Sequence, residues 1–186
     1  RISEVNARYL IENIGDDISV IKNEIEKLCN FSKDGEIDKQ TIDFLCIKTV
    51  EASVYDLVKK IFACDITSSL NILGDLFFMR IEPVIILHTI ATSYVDLYRA
   101  YSGKKAGKST PQIVTDFGYK NRAFVIDRAL LDAKKFNSQK LNLSFEALLK
   151  ADDSLKSFSS DQRTVLEQLI VRLIYIISKG EAVDKD

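Results

Sequence analysis

Apolar residues recur three and four positions apart along nearly the whole chain, and only two prolines and seven glycines interrupt the pattern over 186 residues. That spacing gathers them on one face of a helix, whereas a half-buried strand needs strict alternation, which no segment sustains. The fold class expected is all-α. A hydrophobic content of 46% is enough to build a core. The formal charge of -1 gives no overall attraction to nucleic acid or to an anionic membrane, so any such contact has to be local.

The punctuation divides the chain. Ile18, Ile21, Ile25 and Leu28 share a face of a helix running from about Asp17 to Asn30, with Asp16 or Asp17 able to cap its first amides. Before it, Tyr9, Leu10 and Ile14 belong to a helix ending at Gly15. After it, Lys33-Asp34-Gly35-Glu36 makes a turn into a helix starting near Asp38. Residues 1–48 therefore read as a three-helix unit, and 49–186 as a helical bundle.

In that bundle two helices separated near Asp65 form a hairpin. Pro83 opens a long helix, since its missing amide hydrogen has no partner in a first turn. Ser102 to Thr110 is a polar, lysine-bearing break, Pro111 opens a short helix that Gly118 ends, and further helices are expected near 121–136 and 138–157. A joint at Phe158 to Ser160 precedes the final helix, with Ser159 and Gln162 in a capping-box spacing. This helix carries Val165, Leu166, Leu169, Ile170, Leu173, Ile174 and Ile177, a stripe wider than the roughly 100° that one-sided packing requires. It is read as central to the bundle or as a subunit interface formed by Val165, Leu169, Ile170, Leu173 and Ile177.

The chemistry-bearing residues do not assemble into a catalytic motif. Gly103-Lys104-Lys105-Ala106-Gly107-Lys108-Ser109 imitates a phosphate-binding loop, but it has three residues between its glycines where four are needed and lacks the preceding strand. His88, the single histidine, sits in an apolar run and reads as structural rather than as a base. Asp152 and Asp153 are adjacent, so on a helix they diverge by about 100° and are read as surface charges. Cys29, Cys46 and Cys64 are odd in number and widely spaced, which suits reduced, buried thiols in the cytoplasm and no zinc site. No catalytic residue, cofactor or metal is expected. Lys156, Phe158 and Arg163 form the candidate DNA contact, because an aromatic flanked by positive charge can stack on an exposed base; the alternative is that Phe158 plugs the end of the bundle.

Taken in order, Tyr9-Leu10, Gly15-Asp16-Asp17 and the run Asn23 to Leu28 resemble the second domain of the delta subunit of bacterial DNA polymerase III, a clamp-loader family. Further along, Glu82-Pro83 with Ile86, Leu87 and Ile90, Asp153 with Leu155-Lys156, and Leu166 to Ile170 are similar to that family's later helices. Arg80 stands where the family commonly has glycine, and Ser102 to Gly118 departs from its pattern.

The resemblance implies a fragment holding the second and third domains, beginning at Arg1 without the nucleotide-fold first domain that carries the family's contact to the sliding clamp. It implies a cytoplasmic, non-catalytic subunit of the polymerase holoenzyme, a nucleotidyltransferase complex. Its third domain would join other clamp-loader subunits in a pentameric collar, and the assembly would load the clamp on primed DNA; no membrane contact is implied. Two rivals stay open: a helix-turn-helix DNA-binding module using Arg122, Arg128, Lys134 and Lys135, and a small helical enzyme using His88 or the Asp152/Asp153 pair.

Overall fold

A computed structural model describes residues 1–15, 17–32, 35–119, 122–157 and 161–180. Among these there are ten α-helices and no strand; the single β-type pairing is an isolated parallel bridge between Ile2 and Ile37. The chain separates into two compact units, Arg1–Ser53 and Val54–Asp186.

The first unit holds α1 (Glu4–Ile14), α2 (Ile18–Phe31) and α3 (Lys39–Leu45). Each starts where a short polar side chain takes up amides that have no intrahelical acceptor. Ser3 accepts from the Asn6 amide, Asp17 from Ser19 and Val20, and Asp38 from Thr41. Gly15 ends α1 at φ +87°, and its amide donates to the Ile11 carbonyl. The three helices close on Leu10, Ile14, Leu28, Ile37, Ile42 and Cys46. Asp16, Lys33 and Asp34, to which the sequence assigns a cap and a turn, lie outside the described residues.

The second unit follows from α4 (Val50–Phe62), whose first turn belongs to the preceding unit, through α5 (Ile66–Phe78), α6 (Pro83–Lys105), α7 (Thr110–Asp116), α8 (Ala123–Asp132), α9 (Ser138–Lys156) and α10 (Gln162–Lys179). A 3-10 turn at Ala133–Lys135 extends α8. Its centre is aromatic: Phe62, Tyr94 and Phe136 meet edge to face with ring centroids 5.2, 5.7 and 6.0 Å apart. Such T-shaped contacts set the negative face of one ring against the positive edge of another. Leu57, Ile61, Leu73, Leu76, Ile86, Ile90, Leu97 and Leu166 are fully buried around it.

Three local expectations need correction. The last helix is capped not by Ser159, which lies outside the described residues, but by Asp161, whose carboxylate accepts from the Thr164 amide. The break after Tyr101 begins later than the polar composition suggests. Helix α6 continues through Lys105 because its carbonyls are closed by the following backbone, with Ala106 N donating to Ser102 O and Lys108 N to Gly103 O, at 3.0 Å each. The thiols also differ among themselves: Cys46 is buried, Cys64 is partly buried and Cys29 is exposed. Cys29 lies on α2 next to Leu28, the residue that faces the core, and a one-residue step turns it by about 100° towards solvent.

No described helix is long and apolar enough to cross a membrane.

Candidate functional site

The wide stripe on α10 is explained by how many neighbours the helix has. It packs against α9, α5 and α6, so apolar side chains are needed on three sides. Leu169, Ile170, Leu173 and Ile177 are buried within the chain's own unit, and Val165 is half-buried. A side chain at the core cannot also meet a partner without opening the bundle. What α10 leaves to solvent is another line, Val171 at 42% exposure and Tyr175 at 37%, four residues apart and therefore on one face.

At the N-terminal end of α10 the structure brings together residues from three helices. Arg163 lies over the Phe77 ring of α5 at 6.0 Å and donates from Nε to Glu167 at 2.8 Å. Lys156, in the last turn of α9, reaches the Asp152 carboxylate at 2.5 Å, and that bond holds its ammonium above the ordinary lysine range. Phe77, Leu155, Lys156, Gln162 and Arg163 line an open pocket of about 530 Å³. Phe158 lies outside the described residues. Phe77, 86 residues before Arg163, is the member of this cluster that sequence reasoning missed, because its apolar spacing reads as core. Both cations already hold carboxylates, so an anionic ligand would compete with Asp152 and Glu167 for them.

The alternative centres do not assemble among the described residues. His88 is exposed on α6 instead of enclosed by its aliphatic neighbours, since Leu87 and Thr89 on either side of it face inward. No hydrogen bond or ion pair links it to a nucleophile or an acid among the described residues. Asp152 pairs with Lys156 at 2.5 Å, a helix-face contact rather than half of an acid/base pair. No group of three or more histidine, cysteine or acidic side chains among the described residues could hold a metal ion. Two of the basic residues named for a DNA-binding module make local contacts: Arg128 of α8 lies over Phe124 at 5.6 Å, and Lys135 of the 3-10 turn donates to the Phe62 carbonyl at 2.9 Å.

Gly103, the first glycine of the phosphate-loop lookalike, is helical, and Ile113 of α7 rests directly on it. A Cβ built there would stand 2.5 Å from Ile113 Cγ1. Its glycine serves close packing between α6 and α7, not anion binding.

A buried polar network was also invisible in the sequence. Asp96 of α6 is 5% exposed and accepts from the Tyr119 hydroxyl, which in turn accepts from Arg99 Nη1 at 2.9 Å. Burial pushes the Asp96 carboxyl above its ordinary value; the Tyr119 hydrogen bond and the charges of Arg122 and Arg99 pull against that. Nothing in local spacing announces a pair 23 residues apart with a turn between them.

The comparisons with known proteins agree on one relationship. A family model described as DNA polymerase III delta subunit, C-terminal domain, matches residues 51–173. The DNA polymerase III subunit delta of Bacillus subtilis (strain 168) is 27% identical over 169 residues, which cover 90% of this chain and 48% of that protein. Among solved structures, the Bacillus subtilis DNA clamp loader delta protein superposes with a TM-score of 0.78 at 27% identity, covering 93% of this chain and 51% of that one. The chain thus spans about half the length of these relatives.

Proposed function

The chain belongs to the DNA polymerase III delta subunit family, matched over its C-terminal domain, and from that premise we propose that it is a non-catalytic part of a replicative clamp loader. The observation that carries the reading is the family match over residues 51–173, nearly all of it within the second compact unit. That unit is the assembly module, a collar domain that joins the other clamp-loader subunits. The first unit is the lid-like connector to a nucleotide-fold domain, through which the sliding clamp is engaged. The protein works in the cytoplasm, needs no cofactor of its own, and contributes to loading the clamp on primed DNA without hydrolysing anything.

Within this reading the assembly surface is supported by α10. Leu169, Ile170, Leu173 and Ile177 fix the helix from beneath, Val165 stands at its edge, and Val171 and Tyr175 offer the exposed apolar contact. Aspartate at Val171 and Tyr175 together is expected to release the chain from the assembled loader while its far-UV circular dichroism stays unchanged. Retention of the doubly substituted chain in the complex would remove α10 from the assembly surface.

DNA contact is assigned to the α9–α10 end, through Lys156, Phe158 and Arg163. Each phosphate neutralised by a cation releases counterions, so the contact weakens with salt. Phe158→Ala in the complete loader is expected to weaken the response to primed DNA, and an unchanged response would refute the assignment.

A further inference from the structure

Residues 107–118 form a piece of structure closed upon itself. Lys108 pairs with Asp116 at 2.5 Å, Gln112 Oε1 accepts from Ser109 N and Oγ at 2.8 and 2.9 Å, and Thr115 Oγ1 donates to the Pro111 carbonyl at 2.9 Å. At its two ends Gly107 and Gly118 both hold left-handed backbone, at φ +72° and +73°. A glycine crosses between such regions at little cost, so both ends can turn without straining a side chain.

Apart from the backbone bonds that close the end of α6, Gly107 N to Lys104 O and Lys108 N to Gly103 O, side chains hold this piece to the rest of the unit at two places. Fully buried Ile113 sits against Gly103, forming with Tyr119 and Ile126 an apolar cluster of its own. Tyr119 is tied to Asp96 and Arg99, and Arg99 also lies over the Phe117 ring at 5.4 Å. We propose that residues 107–118 are a hinged flap, fastened by Ile113 on Gly103 and by Tyr119 on Asp96 and Arg99, that opens while the rest of the bundle stays folded.

The two fasteners differ in kind. The first is a shape fit that excludes water. The second is a charge-assisted hydrogen bond in a buried setting, where losing one member leaves the other without its partner. A seven-residue helix has no stability of its own in water, so α7 (Thr110–Asp116) melts once it leaves α6 and α8. Opening therefore exposes its amides and uncovers Gly103 and the Ile126 side of α8. The inference does not depend on the loader reading, since every contact it uses lies within this chain.

Amide hydrogen exchange of the whole chain, followed by mass spectrometry in increasing sub-denaturing urea, tests the flap. In the unsubstituted chain the amides of Ile113, Phe117 and Tyr119 are expected to exchange by an opening that depends weakly on urea. Those at the centres of α9 and α10 are expected to require the full urea dependence of unfolding. Tyr119→Phe is expected to speed exchange in the flap about ten- to a hundredfold and leave α9 and α10 within about twofold. A flap that shares the protection and urea slope of α9 and α10, or a substitution that speeds all three alike, overturns the proposal. Should Tyr119→Phe fail to fold, the urea series on the unsubstituted chain decides alone.

Discussion

Replacing Gly103 and Gly74 separately by alanine should move stability in opposite directions, although both glycines lie inside helices of the second unit. Alanine in a helix interior is favoured over glycine by about 0.8–1.0 kcal/mol, so propensity alone makes both changes stabilising. At Gly74 of α5 the nearest atom to an added Cβ is Arg163 Nη2 at 3.9 Å, an ordinary contact that leaves most of that gain in place. At Gly103 the added Cβ meets Ile113 Cγ1 at 2.5 Å and Cδ1 at 2.6 Å. Carbon atoms prefer about 3.5–4.0 Å, so Ile113 would have to retreat by roughly 1 Å from a fully buried position. Overpacking of this kind costs about 1–3 kcal/mol. Set against the propensity gain, Gly103→Ala comes out about 0–2 kcal/mol less stable, and Gly74→Ala up to about 1 kcal/mol more stable. Urea unfolding followed by far-UV circular dichroism measures both on the same unit. If Gly103→Ala raises the midpoint as much as Gly74→Ala does, the close approach of α6 and α7 is wrong, and with it one fastener of the flap.

Three other outcomes follow from the same contacts. Leu169→Asp buries an unpaired charge at a 3% exposed position and is expected to cost several kcal/mol, enough to unfold the second unit, whereas Val171→Asp on the exposed line keeps its circular dichroism. Asn137→Ala removes the cap that accepts from the Lys140 amide and should lower stability by about 1 kcal/mol, read as a shift of the urea midpoint. Burial and the neighbouring Glu24 push the Cys46 thiol up to about 12, so it stays protonated at pH 8. Exposed Cys29 should then be alkylated by iodoacetamide well before Cys46, as peptide mapping would register.

Features set by short-range chemistry were legible in the sequence. Gly15, Asp38, Asp65 and Pro83 mark helix ends because caps and missing amide hydrogens act within one turn, and each stands at the boundary expected of it. Arg80, noted in sequence as standing where the family commonly has glycine, has φ +58°, a left-handed conformation that glycine adopts more cheaply.

Features that depend on distant partners were not legible. The width of the α10 stripe announces many neighbours without saying whether they lie in the same chain, and α5, α6 and α9 provide them here. Gly103 looks like loop chemistry until Ile113 is seen resting on it, ten residues later in the chain. His88 reads as structural because its neighbours are aliphatic, yet the helix turns it out to solvent. The Tyr119–Asp96 contact and the Phe77–Arg163 stack each join residues whose local patterns say nothing of one another.

The central claim, that this chain is an assembly module of a clamp loader, is tested most directly by its solution mass when mixed with the collar domains of the other loader subunits. Size-exclusion chromatography with light scattering should show one species containing this chain, and the Val171 and Tyr175 aspartate pair should remove the chain from it. Separate elution of a correctly folded chain at every mixing ratio would contradict the account.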